Sequence, residues 1–250
     1  MPRLARAVVP GLPHHLTQRG NRRAPIFFEP GDPQVYKRLL AAQARKAGVE
    51  VWAYCLMPNH VHLILIPADE HGLARAIGET HRRYTSFVNG RAGWTGHLFQ
   101  RRFASVVMDE AHLIAAGRYV SLNPVRARLA ARPQDWPWSS ASAHLAGRDD
   151  DLVRVAPLLD RMGPAGDWLS PDLPEDDAVK AIRAAESTGR PLGSRDFVDD
   201  LERRLGRPLA PRPPGRKPGE GPTAAPKAAP PKGDMMPIPG AEPGDSAMRE

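Results

Sequence analysis

The chain is nearly free of cysteine. Cys55 is the only one in 250 residues, which excludes an internal disulfide framework and a cysteine-rich zinc site. No apolar run approaches the ~18 residues that a membrane-spanning helix needs, so no transmembrane helix and no membrane partner are expected. Residues 1–10 hold Arg3 and Arg6 but no long apolar stretch, so they do not read as a signal peptide. The expected compartment is therefore the cytoplasm. Aromatic residues make up 6% of the chain, and none follows Phe197. Lysine is scarce as well, 6 against 29 arginines.

Proline (28) and glycine (22) are abundant instead. Eleven of the prolines and six of the glycines fall in residues 211–250. A segment of that kind buries too little apolar area to offset chain entropy and reads as a disordered tail. Charge is uneven. Residues 1–150 hold 20 Lys/Arg against 11 Asp/Glu, so the positive field belongs to this part and a polyanion is a fitting partner. Arginine suits bidentate phosphate contacts, although GC-rich coding would raise arginine equally well.

Periodicity divides the chain into strands and helices. Leu12 to Arg19 reads as a short strand, followed by the loop Gly20-Asn21-Arg22-Arg23. Asp32-Pro33 opens a helix that runs to about Lys46 and stops at Gly48. Val49 to Met57 alternates, which predicts Val49, Val51, Ala53, Cys55 and Met57 on one face. Pro58-Asn59 is turn chemistry, and His60 to Ile66 is a branched β run, so the two strands should form a hairpin. Gly72 to Asn89 reads as a helix with Leu73, Ile77 and Tyr84 buried. His97 to Val107 reads as a strand, and Asp109 to Asn123 as a helix closed by Pro124. The order βαββαβ plus a helix is the split βαβ, ferredoxin-like arrangement of the α+β class, with one sheet face left free for a partner. That fold serves many functions and alone decides none. Three divisions are expected: a domain over 1–147, a helical accessory region over 148–210 and the tail. Within the second, Ser194 should cap a helix bearing Phe197, Leu201 and Leu205.

Two short patterns carry chemistry. In His60-Val61-His62, residues two apart in a strand point to the same side, so two imidazoles stand together as a pair of ligands for one divalent ion would. Two half-exposed strand histidines would look the same. Tyr119 and Asn123 are four apart and share a helix face. A hydroxyl and an amide oxygen there could meet the same ion. A buried tyrosine beside a helix-stopping asparagine would also fit.

The segments Tyr54-Cys55-Leu56-Met57-Pro58-Asn59-His60-Val61-His62, Gly96-His97-Leu98-Phe99-Gln100-Arg101-Arg102-Phe103 and Tyr119-Val120-Ser121-Leu122-Asn123-Pro124-Val125-Arg126 resemble single-tyrosine HUH transposases of the IS200-like group. The resemblance is nearer to their REP-associated branch. It covers residues 8–147, and weakly Gly189 to Leu205. It implies Tyr119 as the nucleophile that links to a 5′-phosphate, and His60, His62 and Asn123 as ligands of Mg²⁺ or Mn²⁺, with Zn²⁺ also compatible with imidazoles. It implies single-stranded DNA with a hairpin or REP-like palindrome as substrate, and allows a homodimer. Candidate phosphate contacts are Arg19, Arg22 and Arg23 after the first strand, Arg82 and Arg83 on the second helix, Arg101 and Arg102, and Arg126 in the last motif. For each, a solvated surface role reads as well. Two rival functions remain at this level: a non-catalytic single-stranded nucleic-acid-binding module, and a metal hydrolase that uses water.

Overall fold

The computed structural model describes residues 6–170 and 177–210. The tail expected over 211–250 lies outside the described residues. Four strands, β1 (His14–Arg19), β2 (Val49–Met57), β3 (His60–Pro67) and β4 (Ala104–Val107), form one antiparallel sheet in the order β2-β3-β1-β4. Between and after them run α1 (Asp32–Lys46), α2 (Gly72–Ala92), α3 (Glu110–Arg126), α4 (Ala141–Leu145), α5 (Ala156–Met162), α6 (Ala165–Trp168), α7 (Asp177–Thr188) and α8 (Arg195–Leu205). This is the ferredoxin-like α+β order expected from the sequence. Among the described residues, no helix is long and apolar enough to cross a membrane.

Local chemistry starts and stops these elements where it should. The Asp32 carboxylate accepts the N–H groups of Phe28 and Glu29 just before α1, and Pro33 needs no partner in the first turn. Gly48, at φ 64°, takes the left-handed turn that sends the chain from α1 into β2. Asp109 caps α3 by accepting the His112 N–H at 3.0 Å. Ser194 caps α8 on the Phe197 N–H.

One sheet face packs on α1 and α2 through Leu16, Tyr36, Leu40, Val61, Leu63, Leu65, Ile77 and Tyr84, all essentially inaccessible. Each side chain of this size contributes about 1.5–3 kcal/mol on burial. The other face was expected to be free. It is covered: Ala53, Cys55, Met57 and Ile64 pack against Leu113, Ala116, Tyr119 and Val120 of α3 and Val179 and Ile182 of α7. The apolar stripe of α7 requires a partner, and this sheet face supplies it.

Three further expectations change. The strand β2 carries a bulge: Val51 pairs with Leu65 but Ala53 with Ile64. The extra residue flips the pattern, so Val49 and Val51 join the α1/α2 side while Ala53, Cys55 and Met57 face α3. The strand expected over 97–107 is only Ala104–Val107. Upstream, Arg101 turns left-handed at φ 59°, and the Gln18 side chain takes the Gln100 carbonyl at 3.0 Å in place of a ladder bond. Finally, α3 does not stop before Pro124 but runs through it to Arg126. Proline withholds only its own N–H; the ladder resumes with Ala127 N–H on Asn123 O and Leu129 N–H on Pro124 O, both at 2.9 Å.

Candidate active site

His60 and His62 alternate onto the sheet face under α3 and α7. Their ring centroids are 4.8 Å apart and nearly perpendicular. The Nδ1 of His60 lies 2.6 Å from the Asn59 amide oxygen, which can only accept. Nδ1 therefore carries the proton, and Nε2 keeps its lone pair. His62 stacks on His15 of β1 with centroids 5.3 Å apart and planes within 4°. Its Nδ1 is 3.1 Å from His15 Nε2, while its own Nε2 is buried with no hydrogen-bond partner. In the tautomer where His62 Nδ1–H donates to His15, that orphan Nε2 is an open ligand atom. Burial holds both imidazoles neutral: His60 is pushed down to about 4, with Arg19 adding to the shift, and His62 falls well below the usual value. Neutral imidazole is the form that binds a metal.

Tyr119 comes from α3 and is 7% exposed. Its ring meets His62 edge-on at 5.3 Å and His15 at 5.9 Å. Asn123, one turn on, and Arg183 of α7 both pull the phenol toward its charged form. The guanidinium groups of Arg183 and Arg126 lie 5.4 and 5.8 Å from its ring centre. Burial first, and then the charge of Glu186, raise the phenol above its ordinary pKa; Arg183 and Asn123 oppose this. Glu186, also on α7, lies 3.8 Å from His62 Nδ1 with Oε1 buried and without a hydrogen bond. Burial lifts its carboxyl to about 7 against the pull of Arg19 and Arg183.

Beside His60 opens a cavity of about 470 Å³ lined by Arg19, Arg23, Arg101, Arg102 and Arg183, with Glu186 its one acidic residue. The expected phosphate contacts thus divide. Arg19, Arg23, Arg101 and Arg102 converge here, and Arg126 stands against Tyr119. Arg22 is exposed and lines no cavity near His60. Arg82 and Arg83 pair with Glu79 on the exposed side of α2, over the opposite sheet face.

A donor set that fits a divalent ion is present, since the neutral His62 stands beside His15 and the Glu186 carboxylate; His60 is outside this group. Among the described residues, His15, His62 and Glu186 bring one ligand atom each within 4.8 Å of one another. His15, Glu186 and Arg183 were not anticipated from the sequence. His15 could have been found, because it shares the strand face of Thr17 and Arg19, which pair with His62 and His60. Glu186 also left a trace: it follows Val179 and Ile182 at helical spacing, a carboxylate on an apolar stripe.

Residues 8–123 match the family model described as Transposase IS200 like. Over these residues, a little under half of its length, the chain is similar to the IS200-like transposase family. A solved REP-associated tyrosine transposase, bound to a REP hairpin, is 21% identical with a TM-score of 0.50, over 60% of this chain and 90% of its own. At that identity the likeness speaks for the fold. A candidate transposase from Deinococcus radiodurans R1 is 23% identical with a TM-score of 0.35, over 48% of this chain and 95% of its own. No curated protein matches the chain. The transposase match ends at Asn123, so α7, which carries Arg183 and Glu186 into the site, lies beyond it.

Proposed function

We propose that this chain is a metal-dependent endonuclease and strand transferase for single-stranded hairpin DNA, working through a covalent 5′-phosphotyrosine link. The observation that carries this reading is the meeting of Tyr119 with His62 next to an arginine-lined cavity. The hairpin bound in the related structure supports hairpin DNA as the substrate class.

Arg19, Arg23, Arg101 and Arg102 would bind and orient the phosphates of the strand. The Tyr119 oxygen attacks phosphorus, the bond from phosphorus to the 3′ oxygen breaks, and the 3′-hydroxyl leaves with a proton. The phenol must lose its own proton in doing so, and its burial works against that. Arg183 and Asn123 favour the charged form. A divalent ion held by His60, His62 and Asn123 would supply charge neutralisation at the phosphate oxygens. The step conserves the bond energy, so a new 3′-hydroxyl can reverse it and join strands without ATP. Tyr119 and His62 already meet within one chain, so the reading needs no exchange of helices between protomers.

A covalent-capture assay tests it. Hairpin DNA labelled on the 5′-phosphate side of its unpaired flank is incubated with the protein and Mg²⁺ or Mn²⁺. Label should stay on the protein, vanish with chelator, and vanish in Tyr119→Phe while binding persists. Cleavage that survives Tyr119→Phe would point to water as the nucleophile. The burial of Tyr119 favours a second reading, a binding module without catalysis; tight binding with no cleavage by the wild-type chain would select it.

A further inference from the structure

The turn Pro58-Asn59 joins β2 to β3, and Met57 pairs with His60 across it. Pro58 fixes its own φ, and the paired strands hold the turn on both sides. The Asn59 side chain therefore leaves from a fixed point, and both ends of its amide find partners. One end lies 3.1 Å from the Arg23 carbonyl, the other 2.6 Å from His60 Nδ1. A carbonyl oxygen only accepts, so the amide nitrogen must face Arg23. That leaves the amide oxygen for His60 and puts the imidazole proton on Nδ1. The open lone pair on Nε2 is thus decided away from His60, by a backbone carbonyl on another loop.

That loop is built to keep its carbonyl still. Arg22 and Arg23 both take left-handed backbone, with φ 54° and 64°. Two successive residues with side chains hold such a conformation only where their surroundings enforce it. Here the Gly20 N–H donates to Asn59 O at 2.8 Å and the Arg23 N–H to Gly20 O at 3.0 Å. The Ala24 N–H reaches Asn21 O and the Ile26 N–H reaches Pro58 O, both at 2.9 Å. Gly20 has no room for a side chain, because a Cβ there would run into the Ala24 carbonyl and the Ile26 side chain. Arg23, an expected phosphate contact, lines the cavity beside His60. One loop therefore sets a cation at the cavity wall and, through Asn59, a nitrogen at its floor.

We propose that Asn59 is a positioning residue, which passes the fixed orientation of the Arg23 loop to His60 and keeps Nε2 open toward a divalent ion. The inference rests on the nuclease reading for that ion. In the other tautomer Nε2 would carry the proton, and His60 could not bind a metal through it. Partners that orient a ligating imidazole in this way are worth about 10- to 100-fold in metal affinity.

The test is read first in the metal-free full chain. Nitrogen-15 spectra of the histidine rings report which nitrogen carries the proton, and the ring lost in His60→Gln assigns the signals. Wild-type His60 should carry its proton on Nδ1. In Asn59→Ala it should become a mixture of tautomers, and Mn²⁺ affinity, measured by electron spin resonance, should fall about 10- to 100-fold. Asn59→Asp separates the two ends of the amide. Its carboxylate accepts from Nδ1–H with either oxygen, so tautomer and Mn²⁺ affinity should recover although the bond to Arg23 is lost. Gly20→Ala displaces the Arg23 carbonyl and lets the amide turn. It should mix the tautomers beside Asn59 and leave them pure when combined with Asn59→Asp, a rescue that a merely structural role would not give. Thermal midpoints are compared throughout; should Gly20→Ala melt early, the two Asn59 variants decide alone. The proposal is overturned if wild-type His60 carries its proton on Nε2, if Asn59→Ala leaves either the tautomer or the Mn²⁺ affinity unchanged, or if Asn59→Asp fails to restore them. Covalent capture at Tyr119 is scored separately. The expected tautomers without adducts remove the nuclease reading alone; adducts with an unmoved tautomer remove the positioning role alone.

Discussion

Arg183 stands 5.4 Å from the Tyr119 ring centre, pulls the phenol toward its charged form and lines the cavity beside His60. A cation in that position favours the phenolate that attack requires. We expect Arg183→Ala to slow adduct formation about 10- to 100-fold, in the range for losing one preorganised donor to a developing charge. Arg183→Lys should recover part of the rate, and hairpin affinity should change far less than the rate. Single-turnover capture beside anisotropy separates the two. Equal losses in both would make Arg183 a binding residue only. The sequence contained half of this neighbourhood. His60, His62, Tyr119 and Asn123 were legible because each pair lies within one element, where spacing fixes direction. His15, Arg183 and Glu186 were not, because they reach the site through strand register and helix docking, which no local pattern encodes.

Among elements, α1, α2, α3 and α8 were legible to within a few residues, because caps and stops are written locally in Asp32-Pro33, Gly48 and Ser194, whereas the short α4, α5 and α6 were not. The short β4 depends on Gln18, far back in the chain. The bulge in β2 depends on its register with Ile64, and α3 passes Pro124 because Ala127 and Leu129 close bonds on Asn123 and Pro124; residue type alone announces neither. The α1 start shows how a local signal gains tertiary weight. Asp32 accepts two loop N–H groups and also binds Arg91 of α2 at 2.6 and 2.9 Å. Burial would raise its carboxyl, but Arg91 and the two N–H groups together hold it below the ordinary value. A carboxyl lowered on folding adds stability above its unfolded pKa of about 4, and that stability is lost as the pH falls further. Asp32→Asn should therefore cost roughly 1–3 kcal/mol at pH 7. The gap from wild type should close below about pH 4. Urea midpoints at pH 7 and pH 3.5 check this; a gap independent of pH would mean that shape, not charge, is what Asp32 supplies.

At the scale of the whole molecule, the proposed DNA partner would meet the positive surplus of residues 1–150 through a countable set of contacts. Loss of Arg19, Arg101 or Arg102 should each reduce the slope of log affinity against log salt by about 0.7, the value for one single-strand phosphate contact. Titrations of the same hairpin from low to moderate salt read it directly.

The buried histidines set a second global property. His14, His15, His62 and His144 are each no more than 1% exposed. Desolvation lowers all four, His14 to about 4 and His15 to about 3. Unfolded, each would take a proton near 6.5. Their burial therefore stabilises the fold fully above that pH and progressively less as the pH drops toward the folded values. Glu186 runs the other way. Its carboxyl is raised to about 7 in the fold, so between its ordinary value and 7 the folded chain holds one proton more. His60 and His81 are lowered by burial as well, so net uptake on unfolding should approach five protons, each worth about 1.4 kcal/mol per pH unit. Against a typical stability of about 5–15 kcal/mol, two pH units would remove most of it. We expect the urea midpoint to fall steeply from pH 7 to pH 5, whereas a flat profile would mean that water reaches these imidazoles. Mn²⁺ offers a control within the same experiment. It binds only neutral imidazole, so at pH 7 it should raise the midpoint in proportion to its occupancy. That gain should disappear in His62→Ala, and in the wild type as the pH approaches 5.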